Sequence, residues 1–146
     1  MTEVNPEIKD TLRKINDTWG GNFEVEFIGN PNDILKSKKD DCKIIHLTMY
    51  GENINKVESK ISRDDDYLII IGAEKVPRRI YENADYNIAI GNQPHSEISA
   101  LAILLDRLQD GKQFKNKFKN SEREIVPSKT GKNVTIHKKR LSLIHI

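Results

Sequence analysis

At 146 residues the chain has the length of one domain, and its 36% hydrophobic and 32% charged residues are typical of a soluble protein with a hydrated surface. The single cysteine, Cys42, excludes an intramolecular disulfide and a cysteine-cluster metal site. No apolar run approaches the ~20 residues that span a bilayer, and the acidic, polar N-terminus is not a signal peptide. We therefore predict a cytoplasmic protein with no membrane and no metal partner.

The net charge of +2 conceals an uneven distribution. Between Gly111 and Arg140, ten Lys or Arg residues stand against two Asp or Glu residues, a local charge of +8, so the rest of the chain carries −6. Such a split indicates a polyanion-binding end on an acidic body. Two interpretations stay open: contact with RNA, or a solvated and partly disordered basic tail.

The N-terminal third predicts a helix followed by a strand. Asn5 can cap a helix that has Pro6 at its first position, and Gly20-Gly21 ends it. Four apolar residues at helical spacing would form its buried stripe: Ile8, Leu12, Ile15 and Trp19. Apolar and polar residues alternate from Phe23 to Phe27, which predicts a half-buried strand.

The middle of the chain predicts a parallel α/β sheet. Buried strands are expected at Ile44–Leu47, Tyr67–Ile71 and Tyr86–Ile90, separated by helices that Asn53 and Pro77 open. The later two strands run into Gly72 and Gly91, which begin polar loops. Ligands bind beyond the carboxyl ends of such strands, and glycine lets the backbone approach a flat ligand closely. The pattern alone indicates a cofactor crevice between two strand-end loops.

A long helix is predicted from Ser96 or Glu97 to Gln109, and the chain then becomes basic. Its expected buried face consists of Ile98, Leu101, Ala102, Leu105 and Leu108. Glu124–Pro127 is compatible with a short extended segment. The last six residues, Leu141–Ile146, turn abruptly apolar, and we predict that they are a non-native tail; a docking tail is the alternative.

Three blocks carry a resemblance to a known family: HLTMYG (His46–Gly51), GAEKVP (Gly72–Pro77) and IGNQPHSE (Ile90–Glu97). In this order they resemble the archaeal tRNA cytidine-56 2′-O-ribose methyltransferases of the SPOUT class. The resemblance covers roughly Asn5 to Lys132. It implies an α/β fold with a mainly parallel sheet flanked by helices and a C-terminal deep trefoil knot. It also implies one SPOUT-like domain over residues 1–140, a tRNA substrate and a homodimer.

The resemblance further implies that S-adenosylmethionine is bound by three strand-end loops, largely through backbone groups. The positions carried over are Leu47, Gly72, Ala73, Glu74, Lys75, Val76, Ile90, Gly91, Asn92, Gln93, Pro94, His95, Ser96 and Glu97. From pattern alone, Gly72 and Gly91 are equally compatible with tight strand-to-helix turns.

The side chains of these loops allow more than one role. Glu74 is interpreted as an orienting carboxylate, whereas Lys75 is as compatible with ordinary exposure as with a phosphate contact. Asn92 and Gln93 suit either nucleoside recognition or loop hydrogen bonding.

The histidines and Ser96 have structural interpretations as well. Ser96 fits a helix cap, and His95 is a candidate for assisting ribose deprotonation. His46 lies in a predicted buried strand and is interpreted as a satisfied core residue.

Relatives carry a further strand and helix with an arginine motif before the point that matches Asn5. Arg13 is the one arginine before the core of this chain, so we expect an N-terminally truncated chain without the family's catalytic arginine. No catalytic residue is therefore assigned. Three hypotheses follow: a tRNA ribose methyltransferase, a non-catalytic RNA-binding or cofactor-binding knot domain, and a nucleotide-binding α/β domain of another kind.

Overall fold

The computed structural model describes residues 5–72 and 75–137, and the chain falls into two compact units. One unit is Asn30–Lys115, and the other is formed by the two terminal segments. The prediction of a single domain over residues 1–140 stays a prediction, and the predicted tail Leu141–Ile146 lies outside the described residues.

A three-stranded parallel sheet forms the centre of the Asn30–Lys115 unit. Its strands are β1 (Lys43–Asn53), β2 (Tyr67–Ile71) and β3 (Tyr86–Ala89), in the order β2-β1-β3. The middle strand is buried from Ile44 to Leu47, because helices cover both faces of a parallel sheet. The predicted α/β class with a mainly parallel sheet flanked by helices is confirmed.

The described ranges contain five α-helices, which in chain order are α1 (Glu7–Trp19), α2 (Pro31–Lys38), α3 (Ile54–Val57), α4 (Arg78–Asn83) and α5 (Glu97–Gln109). Three of them, α2, α3 and α5, begin at a side-chain cap. The Asn53 side chain accepts from the Asn55 amide at 2.9 Å, and Ser96 accepts from the Ser99 amide at 3.4 Å. Such caps satisfy helical N–H groups that have no intrahelical partner, so the helix starts predicted at Asn53 and Ser96 are confirmed.

One side of α5 packs on the sheet, and it overlaps the predicted side in part, because Leu101 and Leu108 pack against the core as predicted. Ala100 and Leu104 are buried against the strands, whereas Ile98 is 81% exposed and Ala102 is also exposed. The prediction of a buried Ile98 and Ala102 was therefore wrong. The helix is apolar on most of its circumference, so periodicity did not distinguish the face that contacts the sheet from the face that does not.

The middle strand leaves the ladder and returns to it. Leu47 pairs with Ile88 on β3, and Glu52 pairs with the same residue. The residues between them bulge out at the carboxyl end of the sheet. We call residues 48–51 the β1 excursion. Bulges of this kind redirect side chains at the edges of sheets and near binding sites.

The terminal segments form a second unit, which contains α1 and an antiparallel hairpin. The hairpin consists of β4 (Arg123–Val126) and β5 (Asn133–Ile136). The extended segment before Pro127 is confirmed, whereas β5 was not predicted. The strand predicted at Phe23–Phe27 was wrong, because that segment has no ladder partner among the described residues. Alternation measures half-burial and not strand pairing.

Candidate functional site

A cavity of about 640 Å³ lies within the Asn30–Lys115 unit, at the carboxyl ends of β1 and β2. Small-molecule sites are usually of this size, and this end of a parallel sheet is where they occur. Several predicted cofactor-binding residues lie in its wall: Leu47, Gly72, Lys75, Val76, Pro94, His95 and Glu97. They come from all three blocks of the sequence, so the fold brings the three strand-end loops together.

Other predicted residues lie outside this wall. Ile90, Gly91, Asn92, Gln93 and Ser96 are not among the cavity-lining residues, and Ala73 and Glu74 lie outside the described residues. Ser96 caps α5. Asn92 donates from Nδ2 to the carbonyls of Met49 at 2.8 Å and Gly51 at 3.0 Å. It therefore ties the loop after β3 to the β1 excursion, and cofactor contact by these residues stays a prediction.

Residues beyond the predicted set complete the wall. They are His46, Thr48, Met49, Tyr50, Ile71, Tyr81 and Ala100. Three of them, Thr48, Met49 and Tyr50, belong to the β1 excursion and line the cavity. The HLTMYG block contained the signal, but the strand pattern alone did not indicate that the strand would bulge there.

Two glycines are required by close packing rather than by an unusual φ angle. A Cβ on Gly51 would lie 2.5 Å from the carbonyl carbon and oxygen of Asn87, and one on Gly72 would lie 2.3 Å from Val76 Cγ2. A Cβ on Gly91 would meet no atom of the described residues within 4 Å. Gly51 and Gly72 therefore hold the cavity walls close together, whereas packing within the chain leaves Gly91 free to accept a side chain.

His46 is the most deeply buried polar residue of the wall, at 0% exposure. Its Nδ1 lies 2.9 Å from Asn87 Oδ1, and its ring meets Tyr81 edge-to-face with centroids 4.6 Å apart. Burial lowers the pKa of His46, and the hydrogen bond with Asn87 offsets only part of that effect. The core interpretation is confirmed, but Nε2 is buried with no hydrogen-bond partner among the described residues, so the histidine is satisfied at one nitrogen only.

The chemistry of the wall suits a molecule with a charged end and a flat apolar part. Lys75 and Glu97 contribute one cation and one anion. Leu47, Ile71 and Val76 contribute apolar surface. Such a mixture of mainly apolar walls and a few polar groups is what fixes the orientation of a small ligand.

The described part of the chain contains neither a metal-binding cluster nor a membrane-spanning helix. Over residues 5–72 and 75–137, no group of three or more His, Cys, Asp or Glu residues is arranged to hold a metal ion. In the same ranges, no helix has the length and apolar character needed to cross a membrane.

Comparison with known families gives a match over most of the chain. Residues 19–135 match the family described as tRNA ribose 2′-O-methyltransferase, aTrm56. The matched range includes all three strand-end loops and every residue that lines the cavity.

Individual relatives extend this match. A tRNA (cytidine(56)-2′-O)-methyltransferase of Nitrosopumilus maritimus is 62% identical over 141 residues, which cover 96% of this chain and 80% of the relative. A protein of the same name from Cenarchaeum symbiosum is 51% identical over 92% of this chain and 77% of the relative. One from Methanocaldococcus jannaschii is 46% identical over 92% of this chain and 76% of the relative.

Proposed function

Because the chain belongs to the family of tRNA ribose 2′-O-methyltransferases, we propose that it methylates the ribose of cytidine 56 in tRNA, the reaction for which its relatives are named. The observation that carries the proposal is the cavity at the strand ends, whose wall is built from all three strand-end loops. A methyltransferase needs a site for its methyl donor, and this cavity is where a parallel sheet would hold one.

We propose S-adenosylmethionine as the methyl donor. Its amino-acid end is zwitterionic, and Glu97 and Lys75 in the cavity wall have the charges to pair with its ammonium and carboxylate. The apolar side chains of Leu47, Ile71 and Val76 suit the adenine ring. The predicted backbone contacts of Gly72, Val76 and the loop after β3 would add fixed donors and acceptors to the same site.

The donor supplies an activated methyl group on a sulfonium sulfur. The residues of this chain bind and orient the reactants, which is the main source of rate in a displacement between two bound molecules. In the transfer, the ribose 2′ oxygen forms a bond to the methyl carbon while the bond from carbon to sulfur breaks, and the hydroxyl proton is released. Asn92 holds the β1 excursion through two carbonyls, so it would help to keep the cavity in shape.

The tRNA surface is proposed to include residues 116–119, NKFK, of the unit formed by the terminal segments. Phe118 is 59% exposed, between Lys117 and Lys119, which are also exposed. Exposed aromatic rings stack on unpaired bases, and lysines neutralise phosphates. Basic and aromatic residues in alternation therefore favour RNA contact over a merely solvated tail.

Replacing Lys117 and Lys119 with alanine is expected to weaken tRNA binding and to reduce the salt dependence of log Kd by roughly one unit per lost phosphate contact. Filter binding over a series of salt concentrations measures both quantities. The control removes two exposed lysines elsewhere, Lys14 and Lys38. Equal losses in the two double variants would reject a localised RNA surface.

We infer a homodimer from the exposed apolar residues of α5. Its outward side leaves Ile98 81% and Ile103 43% exposed, and exposed apolar surface of this kind marks association sites. A second copy is the occupant that the family resemblance implies. Sedimentation velocity should give a dimer for the wild type and a monomer for Ile98→Glu, and a monomeric wild type at micromolar concentration would contradict the inference.

The family resemblance also leads us to propose the trefoil knot. Because β1 lies between β2 and β3 in the sheet, the chain segment that connects β2 to β3 must cross over β1. Such a connection is compatible with threading. A backbone trace from crystals is the test, and an unthreaded trace would reject the knot while leaving the cavity in place.

Methylation mapping tests the reaction itself. The full chain is incubated with S-adenosylmethionine and an unmodified tRNA transcript, and mass spectrometry of nuclease fragments locates the added methyl group. We expect one methyl group on the ribose of cytidine 56. A matched transcript with 2′-deoxycytidine at that position should accept none. Methylation of a base, or of the deoxy transcript, would overturn the proposal.

A further inference from the structure

One residue that lines the cavity has a side-chain nitrogen with no hydrogen-bond partner in the described part of the chain. His46 is fully buried, and its Nε2 has no hydrogen-bond partner among the described residues. Leaving a buried polar atom unsatisfied costs about 1–3 kcal/mol, so nearly all such atoms in folded proteins are paired. A site that retains one is a candidate for completion by a ligand.

The hydrogen bonds around His46 determine its tautomer. Asn87 donates from Nδ2 to the carbonyl of Tyr81 at 2.9 Å, so its Oδ1 is the atom that faces the imidazole. An amide oxygen only accepts, and Nδ1 of His46 must therefore carry the proton. It follows that Nε2 presents a lone pair and acts as an acceptor. Because burial lowers the pKa of His46, the ring stays neutral near pH 7.

The ring is held firmly in this orientation. Tyr81 contacts it edge-to-face at an interplanar angle of 82°, and the Tyr81 hydroxyl lies 3.3 Å from Thr48 Oγ1. His46, Thr48 and Tyr81 all line the same cavity. The acceptor is thus preorganised in a residue that lines the cavity, so a bound molecule that reaches it pays no cost for ordering it.

We propose that Nε2 of His46 accepts a hydrogen bond from a neutral N–H or O–H group on the nucleoside half of the methyl donor, which makes His46 a specificity-determining residue. The inference rests on the proposed function. The hydrogen-bond donor must be a neutral group, because the charge of an ammonium group buried against a neutral imidazole would remain uncompensated. The exocyclic amine of adenine and the ribose hydroxyls share the required chemistry.

Two substitutions separate the two nitrogens of His46. His46→Asn places an amide nitrogen near the position of Nδ1, so it preserves the bond to Asn87 and removes the acceptor. His46→Gln reaches the position of Nε2, and its amide oxygen can accept there. Calorimetric titration with S-adenosylmethionine is expected to show a loss of affinity of about tenfold or more for His46→Asn and a smaller loss for His46→Gln. Melting curves establish that each variant is folded.

Analogues of the product S-adenosylhomocysteine identify the group that donates the hydrogen bond to His46. S-inosylhomocysteine lacks the exocyclic amine, and deoxyribose forms lack one hydroxyl each. The analogue without the recognised group should bind the wild type more weakly than S-adenosylhomocysteine does. His46→Asn should bind that analogue no more weakly than the wild type does. If every analogue loses affinity by the same factor in the wild type and in His46→Asn, the inference is wrong. It is also wrong if His46→Asn binds S-adenosylmethionine as tightly as the wild type does.

A direct measurement on the wild type avoids dependence on folded variants. With ¹⁵N-labelled histidine, the resonance of the unprotonated Nε2 of His46 should shift upfield when S-adenosylmethionine saturates the site. Saturation without that shift would overturn the inference while leaving the methyl-donor site intact. Absence of any binding to the wild type would instead reject the proposed function.

Discussion

Replacing Gly51 with alanine is expected to destabilise the protein by roughly 3 kcal/mol. The added Cβ would lie 2.5 Å from the carbonyl carbon and oxygen of Asn87 and 2.7 Å from the Ile88 nitrogen. These are backbone atoms of β3 that cannot move away without breaking the ladder with β1. The β1 excursion would then lose its return point on the sheet, and the cavity wall that it forms would be displaced.

Urea unfolding followed by far-UV circular dichroism measures this loss. Gly91→Ala is the matched control, because it adds the same methyl group just after a neighbouring strand, where no atom of residues 5–72 or 75–137 lies within 4 Å of the new Cβ. We expect it to change the free energy of unfolding by less than about 0.5 kcal/mol. Equal midpoints for the two variants would show that Gly51 is not pressed against β3.

Filling the cavity is expected to abolish most binding of the methyl donor. Ile71 is the last residue of β2, is 38% exposed and lines the cavity. Ile71→Trp keeps a residue that strands favour, but its indole would occupy the space proposed for the ligand. We expect the affinity for S-adenosylmethionine to fall about 100-fold, or ~2.7 kcal/mol, with an equal or greater fall in tRNA methylation.

Calorimetry measures the affinity, and a melting curve checks the fold. Ile136→Trp serves as the control, since Ile136 is 71% exposed on β5 and is not among the residues that line this cavity. It should bind S-adenosylmethionine like the wild type. Normal binding by Ile71→Trp would mean that the methyl donor is held elsewhere, and the assignment of this cavity would have to be abandoned.

Local sequence signals accounted for most of the secondary structure. Asn53 and Ser96 cap helices as predicted, because a cap depends on a side chain and an amide two or three residues away. The run Tyr67–Ile71 forms a strand as predicted. The alternating segment Phe23–Phe27 failed, since a strand also needs a partner and alternation carries no information about one.

The site was predicted less completely than the fold. The strand-end glycines and the three blocks located the correct end of the sheet, and seven predicted residues line the cavity. Two of the seven other lining residues, His46 and Ile71, lie on β1 and β2. The remaining five were missed because they depend on the β1 excursion, on α4 and on the face of α5 that packs inward. Each of these is decided by contacts between segments that are distant in the sequence.

The amino-acid sequence by itself determined the parallel α/β class, the helix starts and the family resemblance, because each is carried by neighbouring residues. Only the tertiary structure decided which side of α5 is buried, where β1 leaves its ladder, and that His46 keeps one acceptor with no partner among the residues the structure describes. The physical reason is that each of these features depends on residues that are distant in the sequence. His46 and Asn87 are 41 positions apart, and the proton on an imidazole is placed by its hydrogen-bond partner in space rather than by adjacent residues.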